Sequence, residues 1–563
     1  MKRNLVSLPL LLSLVSYGDL GFGDSNKSGE NGWTPEILRE GQTSTYLPDF
    51  SYVGYHWGEK PIPQKTATMN VTDFGAVPDD KIDDTEAFKK ALDAAHKSSK
   101  PVVLKMPKGR FIVNDILTIK RSDFVLQGSG SDANGTIIEI DKALAQLPTP
   151  DAMKETEEYL RVNNKKTKDG KLFSVYSWSG GFIWVQYPGL RIYPYLEKYD
   201  QKIDAVATAE TGVRGSHQFT VNPKGLKIGD TIQLNWYNTE GQKSSLLQHL
   251  YMNDGLVIGS RHWENPQRPL ITQQLLITAI NKDTVTVKEP LLHDIRKAWQ
   301  VAVTKPNLLQ EVGLENFAIE FPNVPFAGHH SEDGYNGIYF TGSHHSWIKN
   351  VRVNNADTPI LTDKVANLTI TDIAVTGRQS HYGIHLGDVY NVLVKDTVID
   401  APSFHALSFN TYSRGSLYTH SEIKQNPSLD QHCGSNHQNL FDNIKITENN
   451  KESKLFEHGG DKYWAPTHGA YNTFWNIDVN FAYDTKGQEQ VEIKGIEDGP
   501  HANFIGFHAN RPVKFTYGPD AYIEGLNRSD IKIPSLYEFQ LAKRLQSQAK
   551  RKTSQAKDTK VSL

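Results

Sequence analysis

Between residues 381 and 437 the chain gathers side chains that move protons and hold anions, among them His385, His405, Tyr412, Arg414 and His432. A neutral histidine accepts a proton near pH 7, a tyrosine can return one, and an arginine pairs a carboxylate through two parallel bonds. Such a set suits removal of a proton next to a carboxylate, because that proton is acidic only once the carboxylate is neutralised. The stretch HYGIHLGDVYNVLVKDTVID, residues 381–400, shows how one of these groups is carried. Ile384 and Leu386 read as core positions of a strand, so alternation turns His385 to the opposite face.

The same pattern returns along the chain. GIYFTGSHHSWIKNVRV, PILTDKVANLTITDIAV, GIHLGDVYNVLVKDTVI and ALSFNTYSRGSLYTHSEI begin at Gly337, Pro359, Gly383 and Ala406, in steps of 22, 24 and 23 residues. Short alternating strands at this spacing imply a solenoid whose turns bury their inner faces on one another. Aligned this way, Ile338, Ile384 and Leu407 point inward. Tyr339, His385 and Ser408 then point outward, onto what reads as one exposed sheet. His345, Asn367, Asn391, Ser416 and Asn439 share a corner and are expected to form a hydrogen-bonding ladder. Tyr339, Arg378, Ser408, Asn410 and His437 are the candidates for holding substrate beside the catalytic group. Asp388 aligns with Lys364 one turn earlier, as a salt bridge between turns.

Composition narrows the partners. A hydrophobic fraction of 38% and a charged fraction of 22% fit a folded domain, and a net charge of −3 gives no reason to expect nucleic acid. Cys433 is the only cysteine, so no intrachain disulfide can form. MKRNLVSLPLLLSLVSYG has the basic start, apolar run and small residues of a signal peptide, and no later run of about 18 apolar residues suggests a membrane span. The expected organisation is a signal peptide (1–18), a linker (19–44), and an N-terminal arm, capping helix and first rungs (45–139). Early rungs with an inserted β-rich lobe (140–310), the main solenoid (311–515), a C-terminal capping segment (516–546) and a basic disordered tail (547–563) follow.

DFGAVPDDKIDDTEAFKKAL, before a helix with apolar residues at Ala87, Phe88, Ala91, Leu92 and Ala95, resembles the N-terminal signature of the pectate-lyase superfamily. The match departs at VPDD, where that family usually has Gly-Asp-Gly. The resemblance implies an all-β right-handed parallel β-helix, capped by this helix, in a secreted or periplasmic polysaccharide-degrading enzyme. Joined to the His, Tyr and Arg set, it points to a lyase that cleaves a uronate polysaccharide by β-elimination. A glycoside hydrolase with paired carboxylates, for which Asp430 and Asp442 are candidates, and a non-catalytic glycan-binding β-helix are the alternatives. The Asn-Thr-Asp, Asp-Asp, Gly-His-Gly and Arg-Ile-Lys elements of polygalacturonases are not found as a set. The outward strand positions are His, Tyr and Ser rather than carboxylates, so no metal and no cofactor is expected. The expected partner is an acidic polysaccharide, and the protein is expected to be a monomer with no stable membrane insertion.

Overall fold

The computed structural model describes residues 32–39, 45–192, 204–239, 241, 244–252, 268–451, 454–456, 459–460, 466–484, 489–494 and 499–561. The proposed signal peptide and most of the linker lie outside these residues. The chain folds as a right-handed parallel β-helix, with three sheets formed by successive turns and an inserted β-barrel. Val, Ile, Leu and Phe at alternate strand positions fill the solenoid from Val71 to Tyr517 as one continuous core. The helix Thr85–Lys97 closes its first end, burying Ala87, Phe88, Ala91, Leu92 and Ala95. Asp84 is its N-cap residue, and Asp83 just before it accepts a hydrogen bond from Thr85 N at 2.8 Å.

Register follows the repeat. Ile338 pairs with Ile360, Leu361 with His385, and Ile384 with Leu407, each one turn apart. At the shared corner His345, Asn367 and Asn391 take positive φ, and side chains bond from turn to turn. Asn439 Oδ1 accepts from Ser416 N at 3.1 Å, and Asn472 Oδ1 accepts from Asn439 N at 2.9 Å.

The 140–310 region holds a helix, Asp151–Val162, and a closed six-stranded barrel built from Ala207–Gly212, Gln218–Val221, Thr231–Tyr237, Pro269–Asn281, Thr284–Val287 and Ala302–Thr304. Antiparallel pairing with its own apolar centre lets this lobe fold as a unit beside the solenoid. Among the described residues no helix is long and apolar enough to cross a membrane.

The outward face of the first sheet is apolar. Leu393, Leu417 and Leu440 on it are buried under Phe50 and Val53 of the N-terminal arm and under Leu536 and Tyr537 of the last helix. That helix runs from Leu536 to Val561 and takes in residues 547–561 of the segment expected as a tail. Its start is fixed by Asp442, a residue considered above as a catalytic acid. The fully buried carboxylate accepts from Leu536 N at 2.8 Å, Thr419 Oγ1 at 2.9 Å and Ser535 Oγ. Asp442 is therefore a helix anchor, on a different sheet from the histidines.

Burial raises the Asp442 pKa to about 6. A carboxyl held above its unfolded value of about 3.9 favours the fold when protonated, so its contribution is full below pH 4 and lost as pH rises through 6. Chemical denaturation from pH 4 to 7 should show the stability of wild type relative to Asp442→Asn falling by about 3 kcal/mol. A pH-independent difference would contradict this assignment.

Candidate active site

The third sheet presents its outward residues as a column: Trp184, Tyr339, Leu361, His385, Ser408 and Asp430, one per turn. Parallel neighbours lie about 4.8 Å apart, so the column passes from aromatic and apolar to proton-transferring groups over a few turns. The expected alternation holds, but the expected exposure does not. Tyr339, His385 and Ser408 are 1%, 6% and 0% exposed, because the lobe and the loops from neighbouring turns cover this face.

What remains open is a cleft of about 650 Å³. His385 and Tyr339 line its floor, with Asn410, Tyr412 and His432 from the following turns and Trp178, Asp363, Lys364 and Asp388 at its sides. The lobe contributes Arg268, whose guanidinium lies 4.2 Å over the Tyr412 ring. Arg268, Lys364, Asp388 and Tyr412 also line a larger groove of about 1410 Å³ that runs on past Arg191 and Lys305. The cleft thus opens into a longer groove, with Arg268, Lys364, Asp388 and Tyr412 shared between the two.

The electrostatics are uneven. Burial, and then the charge of His432, hold His385 neutral with its pKa down at about 3. Burial opposes charge on His432 too, but Cys433 and the Asp430 carboxylate raise it to about 9. Asp430 is itself buried, and His405 and His432 hold its carboxylate well below the usual range. Ser408 Oγ donates to Asp430 Oδ2 at 2.6 Å, and Gly459 N donates to Oδ1 at 3.3 Å. Burial raises Asp363 to about 6 against the pull of Lys364. Asn410 Nδ2 donates to Tyr382 Oη at 3.1 Å, which fixes the amide at the cleft edge.

His385, Tyr412, His432, Tyr339 and Asn410 therefore meet in one cleft, with Ser408 beneath it. His405 sits one layer behind, its ring 4.4 Å from that of His432. Three expected residues are placed elsewhere. Arg414 is 2% exposed and donates to the carbonyl and hydroxyl of Thr272 in the lobe, to Tyr412 O, and to Asp388 Oδ1 at 3.0 Å. It clamps the lobe onto the solenoid, and Asp388 is paired to it rather than to Lys364. His437 is fully inside the same interface, with Nε2 2.8 Å from His293 Nε2 of the lobe. Arg378 is paired with Asp357 at 2.7 Å and stacks near Tyr335, away from the cleft. In each case a buried polar partner nearby satisfies the charged or polar group.

Arg268, Asp363, Lys364 and Trp178 were missed. Arg268 and Trp178 come from the 140–310 region, where no repeat sets a register. Lys364 had a visible signal, since it shares the turn of Leu361 in the aligned rungs, but its pairing with Asp388 was assumed.

Residues 68–168 match the family described as rhamnogalacturonase A/epimerase, pectate lyase-like. That stretch holds the capping helix and the first rungs of the solenoid. The fold is a pectate-lyase-like parallel β-helix. Residues 402–551 match a domain of unknown function, DUF4955. Among curated proteins no sequence matches. Solved structures similar to this chain include the tailspike protein gp49 from Pseudomonas phage LKA1, at 13% identity and TM-score 0.44, covering 79% of this chain and 64% of that one. The A-module of Azotobacter vinelandii mannuronan C-5 epimerase AlgE4 aligns at 11% identity and TM-score 0.34, covering 83% and 98%. The Yersinia enterocolitica family 28 exopolygalacturonase aligns at 12% and 0.32, covering 82% and 79%.

Because buried Arg414 bridges lobe and solenoid, Arg414→Ala should destabilise the protein by about 3–5 kcal/mol, leaving Tyr412 O and the Thr272 carbonyl and hydroxyl without their donor and Asp388 without its ion pair. Denaturant titration followed by tryptophan fluorescence measures this, and an unchanged midpoint would return Arg414 to the catalytic candidates.

Proposed function

We propose that the protein is a secreted or periplasmic enzyme that cleaves a uronate-containing polysaccharide by β-elimination in the cleft on the third sheet. The observation that carries this reading is the meeting, in one cleft, of an uncharged imidazole, a phenol and two cations: His385, Tyr412, Arg268 and Lys364. The cations suit neutralising a substrate carboxylate, which makes the proton on the adjacent carbon removable. His385 would take that proton. A carboxylate arriving beside it raises its proton affinity, so the neutral base becomes stronger when substrate is bound. Tyr412, under Arg268, would return a proton to the departing sugar oxygen. The basic start and apolar run of the sequence support export.

Hydrolysis is the second reading, and Asp363 and Asp388 favour it. Both line the cleft, Asp363 with its pKa raised to about 6 and Asp388 ion-paired to Arg414. Two carboxyls in contrasting environments are what an acid and a base or nucleophile require.

Incubation with a panel of uronate-containing and sulfated polysaccharides separates the two. Elimination leaves an unsaturated sugar that absorbs in the low ultraviolet, whereas hydrolysis gives new reducing ends without that absorbance. On the substrate so found, His385→Ala and Tyr412→Phe should each lower turnover by a factor on the order of 10²–10⁴. Near-full turnover in both variants would remove the cleft assignment. Reducing ends alone, lost in Asp363→Asn, would establish the hydrolase.

A further inference from the structure

Behind the cleft, histidines converge from separate parts of the chain. His329 comes from the loop before the repeated rungs, His381 from the strand Ser380–Leu386 and His405 from the strand Ser403–Phe409. One nitrogen of each lies within 4.8 Å of the others. Ring centroids are 4.5 Å apart for His329 and His381, 5.5 Å for His381 and His405, and 5.6 Å for His329 and His405. His381 and His405 are buried at 0% and 5% exposure. The Nε2 atoms of all three are buried and make no aligned hydrogen bond.

The Nδ1 atoms of His381 and His405 make no aligned hydrogen bond either, but each lies beside a carboxylate. His381 Nδ1 is 2.9 Å from Glu332 Oε1, and His405 Nδ1 is 3.2 Å from Asp430 Oδ2. Both carboxylates are themselves held: Glu332 by Ser177 Oγ and by His330 N at 2.9 Å, Asp430 by Ser408 Oγ at 2.6 Å. A carboxylate beside Nδ1 favours a proton there and leaves Nε2 of His381 and of His405 as a bare lone pair. With Nε2 of His329 these make three buried nitrogens that no group satisfies, each costly to leave unpaired. That cost, and the repulsion among the rings, disappears if a cation occupies the space.

We propose that His329, His381 and His405 hold one divalent transition-metal ion through their Nε2 atoms, with Glu332 and Asp430 orienting two of the rings. An all-imidazole set with an open fourth position suits zinc and is wrong for calcium, which takes oxygen ligands. This runs against the metal-free site expected from the outward strand positions, because His329 and His381 lie outside the aligned column. The proposal does not depend on which reaction the cleft performs. Since His432 both lines the cleft and packs on His405, the ion would sit one layer from bound substrate.

Full-length protein without a polyhistidine tag, stripped with chelator, provides the test. Titration with Zn²⁺ followed by calorimetry, and metal analysis after gel filtration, should give one equivalent per chain at micromolar affinity or tighter. Co²⁺ in its place should give the intense visible absorption of a four- or five-coordinate site. His381→Ala and His405→Ala should abolish stoichiometric binding, Glu332→Gln should weaken it about 10–100-fold, and His385→Ala should retain it. Substoichiometric metal in the wild type, or one equivalent retained in the double variant His381→Ala/His405→Ala, would overturn the proposal. Should those variants not fold, the wild-type Co²⁺ spectrum decides it alone: an intense band supports the site, and the weak spectrum of the aqueous ion overturns it.

Discussion

Backbone hydrogen bonds between successive turns hold equivalent residues about 4.8 Å apart, and this spacing governs every positional relation in the protein. A solenoid in parallel register turns a sequence repeat into a straight column of side chains. On the first sheet the outward column is leucine, and it is covered by the N-terminal arm and the last helix. On the third sheet it becomes His385, Ser408 and Asp430, and the covering element is a separately folded barrel. The same geometry thus yields a sealed apolar seam on one side and a cleft lined with proton-transferring groups on another.

The barrel is clamped to the solenoid beside the cleft. Arg414 ties it to the solenoid through Thr272, Gln273 Nε2 donates to Tyr390 Oη at 2.8 Å, and Gln438 Nε2 donates to Leu292 O at 3.0 Å. These bonds are buried, so each group would be costly to leave unpaired if the lobe lifted away. The effect on the site is desolvation. His385 stays neutral because the lobe and loops exclude water above it, and electrostatic interactions within the cleft gain strength from the same exclusion.

Most of the solenoid was legible in the sequence because its cause is local. The apolar pairs at Ile338, Ile384 and Leu407 recur at a nearly constant step, and the observed register follows that step. His385 could be assigned its face from Ile384 and Leu386 alone. What the sequence could not convey was the covering of that face, since the lobe residue Arg268 and the rung residue Tyr412 meet across more than a hundred positions. Arg414 and His437 looked like site residues for this reason: their types suited the chemistry, but their partners in the lobe carried no periodic signal. The adjacent pair His329-His330 stands outside the repeat, and its contact with His381 depends on how a loop folds back.

The central claim is that the chemistry takes place between the third-sheet column and the lobe. A crystal structure of inactive His385→Ala with an acidic oligosaccharide from the identified substrate tests it most directly. The account predicts a sugar ring in the inner cleft, its carboxylate within hydrogen-bonding distance of Arg268 or Lys364, and the chain leaving along the groove past Arg191. Oligosaccharide bound on another sheet, with the inner cleft empty, would contradict it.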